Sequence, residues 1–385
     1  MTFKPLSGVR VLDLARLIPG DLASRKLADM GADVVKVEGP GVGDYLRVLP
    51  PRVGAVGVHH WNLNRNKRSI QIDIHSSEGR ETLLRLVNVT DVVLEVSVPG
   101  RYQAAGLDFS AWRKARPELI VCSLSGFGQT GPWATLPSHG MNLDALAGCV
   151  PTRARDGRLE IDYSLSTSLA NELGAVNAAL AITAAVFAAR TTGCGQWVDI
   201  SCWDAAVEIQ RSALARAGAG LPVDATEMNG SVLYNLYACQ DDAHIVLCAI
   251  EQKFWERFCS GIRRPDLIVA WQGPPGGVDH RAGDLQLRHE LDKIFLTADS
   301  QTWFKRFLEW QVPGSPILSG EDLATLEHAR SRRLVSNVTG APLAHIADPI
   351  RWVDSDSRPG DKARPSPDLD ADRAAILHDW LGAEG

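Results

Sequence analysis

The chain has 385 residues, of which 45% are hydrophobic and 22% charged, and its formal net charge is −6. This length is enough for two domains with a large core, and the composition is ordinary for a globular protein. A net negative charge without a long basic run argues against nucleic acid as a partner. No run of about 18 consecutive apolar residues predicts a membrane span.

The cysteines and the N-terminal segment indicate the compartment. Seven cysteines are scattered along the chain without a Cys-x-x-Cys pair. The N-terminal segment MTFKPLSGVRVLDL lacks the pattern of a signal peptide. We therefore predict reduced thiols in a cytoplasmic protein. No His/Cys cluster has the spacing of metal ligands, so no metal is implied.

The first half of the chain alternates short apolar strands with helices. Strands are predicted at 9–14 and 32–38, on either side of a helix at 21–30. Because this alternation is typical of a parallel sheet covered by helices, we predict a large Rossmann-like α/β domain over residues 1–216. Its last element is a helix at 203–216. Gly-x-Gly-x-x-Gly is absent from the first turn, so a nicotinamide cofactor is not indicated.

A second, smaller domain is predicted to follow. Residues 217–230 are rich in Gly, Pro and Asp, which is typical of a linker. Beyond them the pattern predicts two strands and then helices, at 233–239, 244–250, 252–260, 288–296 and 300–310. This mixture indicates an α+β domain over residues 217–330, with a C-terminal segment at 331–385.

Residues 122–201 have the strongest pattern for chemistry. A buried strand leads into a loop with the sequence SGFGQTGPW, in which Gly126 and Gly128 free the backbone to approach a ligand closely. His139 follows, and then an Ala-rich helix begins near residue 169. The junctions between strand, loop and helix are where α/β enzymes place catalytic groups.

This stretch resembles the family III CoA-transferases, the group that also contains the alpha-methylacyl-CoA racemases. The resemblance is based on SGFGQTGPW, on His139 and on ARTTGCGQWVDIS. It extends over nearly the whole chain through PLSGVRVLDLARLIPGDLASRKLADMGADVVKVEGPGVGD, NRNKRSIQIDI and AIEQKFWERFC. It implies an acyl-CoA substrate, a C-terminal segment that returns to the large domain, and two interlocked subunits forming a homodimer.

The resemblance also implies catalytic candidates. The racemases have a histidine in a His-x-x-Asn pattern, which His139 and Asn142 match, and a histidine can move a proton near neutral pH. The transferases use an aspartate nucleophile at the start of the long helix, and the racemases use it for proton transfer. That position falls on Asn171, whose amide can do neither. Three explanations stay open: Glu172 supplies the carboxylate, Asn171 marks an inactivated protein, or another carboxylate takes the role.

Further candidates follow from the same resemblance. Glu251 matches a racemase glutamate that faces the active site from the partner subunit, where it would orient or tune the histidine. Backbone N–H groups around Gly126 and Gly128 would stabilise an enolate or an oxyanion. The candidates for binding the phosphates of coenzyme A share a positive charge; they are Arg47, Arg65, Lys67 and Arg68. Arg101, which follows the segment expected at the pantetheine arm, is a further candidate for binding the cofactor.

We therefore predict CoA transfer between an acyl-CoA and a carboxylic acid. One alternative is an alpha-methylacyl-CoA racemase or epimerase that uses His139. Another is a catalytically impaired CoA-binding subunit, because Asn171 stands where the aspartate is expected, paired with a second chain in a heteromeric assembly.

Overall fold

The computed structural model describes residues 3–162, 167–222, 230–337 and 343–382. The chain divides into two compact units, one made of Met1–Ser212 with His328–Gly385 and the other of Ala213–Glu327. This division describes packing rather than independent folding, so the domain boundaries expected from the sequence stay a prediction.

The first part of the chain holds a parallel sheet and the helices around it. Its elements as far as the fifth helix are β1 Arg10–Asp13, α1 Leu17–Asp29, β2 Asp33–Glu38, a 3₁₀ turn Tyr45–Arg47, β3 Arg52–Val53, β4 Val56–Gly57, α2 Val58–Leu63, β5 Arg68–Gln71, α3 Ser77–Val87, β6 Val92–Val96, α4 Arg101–Ala104 and α5 Phe109–Ala115. The next are β7 Ile120–Ser125, α6 Gly140–Leu146, β8 Thr152–Arg155, β9 Arg158–Ile161, α7 Leu169–Thr192, β10 Trp197–Ser201, α8 Cys202–Ile209 and α9 Arg211–Gly218.

The remaining elements belong to the second unit and to the C-terminal segment, which packs with the first unit. They are β11 Tyr234–Ala238, β12 His244–Cys248, α10 Gln252–Gly261, a 3₁₀ turn Pro265–Ala270, α11 Leu285–Phe295, α12 Ser300–Trp310, β13 Gly314–Pro316, α13 Gly320–Thr325, α14 Glu327–Ser331, β14 Val335–Asn337, β15 Ala344–Ile346 and α15 Arg373–Leu381.

Six strands form the main sheet in the order β10-β7-β6-β1-β2-β5, and each neighbouring pair is parallel. The chain starts in the middle, moves out through β2 to β5, and then crosses to β6. Strand order therefore reverses between β1 and β6, and such a reversal opens a crevice at the carboxyl ends of the strands. The predicted α/β class with a large parallel sheet is confirmed.

Both faces of this sheet are covered, which explains the continuous apolar strands. Alternate residues of β1 point to opposite faces: Val11 belongs to one buried cluster and Leu12 to the other. Helices α1 and α7 supply the first cluster, whereas α3 and α15 supply the second. The core of the first unit therefore lies on both sides of the sheet.

Helix α7 contributes small residues to this core. Ala170, Ala175 and Ala178 are buried, while Leu180 and Phe187 are 66% and 73% exposed. The helix is long and apolar enough to cross a membrane by length and composition alone. A core helix of a soluble protein passes the same test, so this is weak support for a span.

Two local differences separate the sequence expectation from the structure. The single helix expected at 203–216 is two helices, α8 and α9, with a break at Gln210. There the Nε2 amide of Gln210 donates to the carbonyls of Ala147 and Gly148, so a tertiary contact replaces helix continuation. The exposed antiparallel hairpin of β8 and β9 was not expected, because its charged sequence lacks an apolar alternation.

The second unit is an α+β assembly with an aromatic core. Its strands form an antiparallel sheet in the order β11-β12-β13. Trp255, Phe258 and Phe295 stack beneath it, and Trp303 packs on Phe295 with ring centroids 4.9 Å apart. The indole N–H of Trp303 donates to the carbonyl of Phe295, which satisfies the polar end of this buried ring.

Candidate active site

The start of α7 holds Asn171 at the wall of a cavity. Ser168 caps the helix, since its Oγ accepts a hydrogen bond from the backbone N–H of Asn171 at 3.3 Å. The Asn171 side chain is half-buried and lines a cavity of about 470 Å³. An amide is both a donor and an acceptor but not a nucleophile. Asn171 can therefore bind and orient a carbonyl or carboxylate but cannot form a covalent intermediate there.

This cavity, called here the α7 cavity, is lined by residues of α1, α6, β9 and the start of α7. Its apolar lining residues are Ile18, Met141, Cys149, Val150, Pro151, Ile161 and Leu169. Its remaining lining residues are Gly140, Asp144, Asp162, Thr167, Ser168 and Asn171. A mostly apolar cavity with a few convergent polar groups is typical of a small-molecule site.

One of these polar groups, Asp144, is a buried carboxylate that the sequence motifs do not mark. Asp144 lies on α6 and is 7% exposed. Its Oδ1 accepts a hydrogen bond of 2.8 Å from the backbone N–H of Ala170, in the first turn of α7. The only feature of the sequence that points to Asp144 as a site residue is its charge within the apolar stretch MNLDALAG. Buried carboxylates need such a partner, because desolvation of the charge is costly.

His139 stands at the beginning of α6, next to the α7 cavity. Its backbone N–H donates to Oδ1 of Asn142 at 2.6 Å, so the His-x-x-Asn pattern forms a cap of the helix. The imidazole is exposed, and the neighbouring Gly140 rather than His139 lines the cavity. The catalytic role of His139 stays a prediction.

Glu172 lies beside Asn171 but is not among the residues that line the α7 cavity. Its Oε1 accepts a hydrogen bond of 2.8 Å from the hydroxyl of Thr167. Burial lowers the pKa of Arg25, and Glu172 is close enough to oppose this effect. Its carboxylate therefore interacts with α1. Its predicted substitution for the missing aspartate stays untested.

Glu251 belongs to the second unit and precedes α10. Its carboxylate lies 2.7 Å from the ammonium of Lys253, and its side chain is 43% exposed. An exposed ion pair of this kind contributes little to stability. The role expected for Glu251, to orient or tune His139, stays a prediction.

The four predicted phosphate ligands have carboxylate partners within the first unit. The pairs are Arg47 with Glu38 at 2.6 Å, Arg65 with Asp29 at 2.7 Å, Lys67 with Asp13 at 3.3 Å, and Arg68 with Asp33 at 2.5 Å. All four cationic side chains are buried or nearly so. They neutralise carboxylates that are buried in the case of Glu38, Asp29 and Asp13 and 39% exposed in the case of Asp33. Phosphate binding by these four cations stays a prediction.

The remaining predicted cofactor-binding side chain, Arg101, lines a different cavity of about 230 Å³, called here the switch-point cavity. It lies where strand order reverses and is lined by residues that follow β1, β2, β5 and β6. Arg16 and His75 line it together with Arg101 and Tyr45. The sequence motifs indicate Arg101 but not Arg16 or His75. Their position directly after a parallel strand is the signal that points to them.

A strained turn at Leu17 lies in the chain between a lining residue of one cavity and a lining residue of the other. Arg16 lines the switch-point cavity and Ile18 lines the α7 cavity. Leu17 between them has φ of 66°, a conformation that a residue with a branched side chain rarely adopts. The backbone N–H of Leu17 donates to Oδ2 of Asp44 at 3.1 Å. The same oxygen accepts from the buried ammonium of Lys36 at 2.9 Å, which fixes the acceptor in place.

The glycine-rich loop that follows β7 begins with a tight contact between Gly126 and Ser138. A β-carbon on Gly126 would lie 2.1 Å from Oγ of Ser138, so only glycine fits there. Gly128 has φ of 81°, and the following N–H, of Gln129, donates to Asp199 at 3.0 Å. Neither glycine is among the residues lining the α7 cavity. The predicted contact of Gly126 and Gly128 with a thioester stays a prediction.

Comparison with known proteins adds the following. Residues 6–373 match the family model described as CoA-transferase family III. A succinyl-CoA:mesaconate CoA-transferase of Haloarcula hispanica is 31% identical, and the alignment covers 97% of this chain and 95% of that protein. A succinyl-CoA:glutarate CoA-transferase of Mus musculus is 29% identical, covering 99% and 87%. The crystal structure of a CAIB/BAIF family protein from Brucella suis is 25% identical, has a TM-score of 0.81, and covers 99% and 100%.

Proposed function

Because the chain belongs to CoA-transferase family III, we propose that it transfers coenzyme A from an acyl-CoA to a carboxylic acid. The donor thioester becomes a free acid, and the acceptor acid becomes the new thioester. One thioester bond is exchanged for another, so the transfer needs no external energy source. Of the described residues, no group of three His, Cys, Asp or Glu side chains has the arrangement of a metal site.

The two cavities, with Arg16 lining one and Ile18 lining the other on either side of Leu17, are the observation that carries this proposal. Coenzyme A has phosphates and an adenine at one end and an uncharged arm with the thioester at the other. Arg16 and Arg101 suit the phosphates in the switch-point cavity. The apolar α7 cavity suits an acyl group. Because Arg16 and Ile18 are two residues apart in the chain, one ligand passing over Leu17 can reach both cavities.

Short dicarboxylic acids are the acceptors that we propose to test first. The two relatives described above are named for succinyl-CoA with mesaconate and with glutarate. Another relative, of Acetobacter aceti, is named for acetyl-CoA and oxalate. These names support a short acid as acceptor for this chain too.

The test is a product assay by liquid chromatography and mass spectrometry. The protein is incubated with succinyl-CoA as the donor. Mesaconate, glutarate or oxalate is added as the acceptor, each in a separate reaction. We expect a new CoA thioester of the acceptor and an equal amount of succinate. Release of free coenzyme A without a new thioester would contradict transfer, because it would indicate hydrolysis.

Neither alternative is favoured by the named relatives, which are transferases. Racemisation needs no acceptor acid, and it exchanges the alpha proton of the acyl group with solvent. We expect no deuterium at that carbon when a 2-methylacyl-CoA is incubated with the protein in D₂O. Deuterium uptake that is lost in His139→Ala would instead support the racemase.

We also propose a homodimer in the cytoplasm. The exposed apolar side chains Leu180 and Phe187 on α7 support a further contact of this helix. Size-exclusion chromatography with light scattering measures the oligomeric state, and a mass of one chain would contradict the dimer.

A further inference from the structure

We propose that Asp144 is the carboxylate that accepts first the acyl group and then coenzyme A, in the place left by Asn171. The inference rests on the proposed CoA transfer and identifies the residue that carries it out. It follows from the position of Asp144, from its hydrogen bond to Ala170, and from the surroundings of the other acidic side chains at the same site.

Asp144 lies at the same cavity wall as Asn171. Both line the α7 cavity, and Oδ1 of Asp144 is 2.8 Å from the N–H of Ala170, the residue immediately before Asn171. The carboxylate comes from α6 and reaches the first turn of α7. A carboxylate is therefore present at the start of α7 although α7 itself does not supply it at position 171.

The surroundings of Asp144 suit a nucleophile. One oxygen is held by Ala170, so the carboxyl group is oriented within the cavity. The N-terminal end of a helix of 24 residues stabilises a negative charge nearby. The cavity around it is mostly apolar, and an anion that is poorly solvated by water is a stronger nucleophile than a hydrated one.

The neighbouring polar groups suit the remaining requirements of the reaction. The amide of Asn171 is a hydrogen-bond donor at the cavity wall. Such a donor stabilises the oxyanion that forms when a thioester carbonyl is attacked. In this interpretation Asn171 stabilises the oxyanion and Asp144 attacks, so the amide at position 171 is compatible with activity.

Among the described residues, two other carboxylates lie close by, and both suit the role less well. Glu172 accepts a hydrogen bond from Thr167 and is not part of the cavity lining. Asp162 lines the cavity, but its side chain is 34% exposed, and it lies 4.0 Å from the guanidinium of Arg153. Solvent and a nearby cation both reduce the nucleophilicity of a carboxylate.

The proposed steps balance as follows. An oxygen of Asp144 attacks the thioester carbonyl of the donor, the C–S bond breaks, and an acyl-aspartyl anhydride and CoA thiolate result. The thiolate attacks the aspartyl carbonyl, which releases the donor acid and leaves an aspartyl-CoA thioester. The acceptor carboxylate attacks this thioester and again forms an anhydride and CoA thiolate. The thiolate then attacks the acceptor carbonyl, which yields the new acyl-CoA and the free carboxylate of Asp144.

The experiment maps the covalent intermediate in the unmodified protein. The protein is incubated with succinyl-CoA, treated with borohydride, digested and analysed by mass spectrometry. Borohydride reduces an aspartyl thioester to the alcohol, which marks the residue that held coenzyme A. We expect the mark on Asp144. This measurement needs no variant and is therefore independent of any effect of substitution on folding.

Matched variants test the same assignment by rate. Asp144→Asn keeps an oxygen that accepts from Ala170 but removes the nucleophile, and we expect transfer to fall by more than about 1,000-fold. Asp162→Asn and Glu172→Gln are the matched comparisons, and each should lose far less. Binding of free coenzyme A, measured by calorimetry, should be unchanged in Asp144→Asn.

The outcomes separate the inference from the function that it rests on. A mark on Asp162 or Glu172 with transfer intact overturns the role of Asp144 and leaves CoA transfer standing. Transfer that persists in Asp144→Asn overturns the role of Asp144 in the same way. Absence of transfer to every acceptor by the unmodified protein, although free coenzyme A binds, overturns the proposed function and the inference together.

Discussion

Gly140 and Asn171 approach each other so closely that no side chain fits between them. A β-carbon on Gly140 would lie 2.8 Å from Nδ2 of Asn171 and 2.3 Å from the β-carbon of Ser168. The start of α6 thereby packs directly on the start of α7. This contact sets the wall of the α7 cavity and the distance between Asp144 and Ala170.

Gly140→Ala is predicted to push the two helix starts apart. Atoms closer than 3.0 Å must shift, and overpacking of this kind costs about 1–3 kcal/mol of stability. We expect a lower melting temperature and a larger fractional loss of CoA transfer than of CoA binding, measured by thermal denaturation, product assay and calorimetry. Gly218→Ala in α9 is the matched control, because among the described residues no atom outside its own helix backbone and chain neighbours lies within 4 Å of the added carbon. Equal activity of Gly140→Ala and the unmodified protein would contradict a tight wall.

Glu95 at the end of β6 is predicted to make stability depend on pH. Burial raises the pKa of Glu95 from 4.5 to about 7, although hydrogen bonds from Ser123 and Ser97 oppose it. A pKa raised in the folded state means that stability is full below pH 4.5 and is lost as the pH rises through about 7. The shift corresponds to about 3 kcal/mol.

Glu95→Gln removes this titration and is expected to unfold at a higher denaturant concentration than the unmodified protein at pH 8, with little difference at pH 4. Urea denaturation at both pH values measures the effect. Glu81→Gln on the exposed side of α3 serves as the control and should not change the dependence. A Glu95→Gln protein that is less stable at pH 8 would show that the ionised carboxylate is needed in the fold.

Asp44 and Lys36 are predicted to have the opposite effect to Glu95: they make the stability of the protein fall as the pH is lowered. Burial opposes ionisation of Asp44, but the charge of Lys36 and the N–H of Leu46 outweigh it and lower the pKa of Asp44 from 3.8 to about 2. Stability from a lowered pKa is present above pH 3.8 and is lost as the pH falls through about 2. We expect a loss of about 2 kcal/mol over this interval from Asp44.

Lys36→Met should be strongly destabilising at neutral pH, because it removes the cation of the buried Asp44 carboxylate and leaves the buried Asp21 carboxylate with Lys67 alone, at 3.7 Å. Removal of one partner from a buried ion pair costs about 3–5 kcal/mol. Chemical denaturation at pH 7 measures the effect, with Lys114→Met at an exposed position as the control. A cost below about 1 kcal/mol, typical of an exposed ion pair, would contradict the buried network.

Arg16 and Arg101 are predicted to bind coenzyme A in the switch-point cavity. Arg16→Gln and Arg101→Gln should each weaken the binding of free coenzyme A about tenfold or more, because each removes a charge-assisted hydrogen bond. The affinity of unmodified protein should also fall with added salt. Calorimetry measures both effects, and Arg85→Gln on α3 is the exposed control. If the affinity for coenzyme A falls in Arg47→Gln but not in Arg16→Gln, the phosphates bind in another cavity and this prediction is wrong.

The amino-acid sequence by itself determined the class of fold and the family. Apolar strands such as VRVLD and IVCSLS, separated by helices, are compatible only with a sheet buried on both faces. Family membership follows from residues that stand in a fixed order along the chain. Both properties depend on local patterns, and a sequence displays local patterns directly.

Only the tertiary structure decided which charged side chains form ion pairs within the protein and which residues line the same cavity. Lys67 and Arg68 belong to a basic run in the sequence, and only the fold shows that Asp13 and Asp33 are their ion-pair partners. Asp144 carries no motif, yet packing brings it to Ala170. The physical reason is that a buried charge must find a partner, and folding selects that partner from residues distant in sequence.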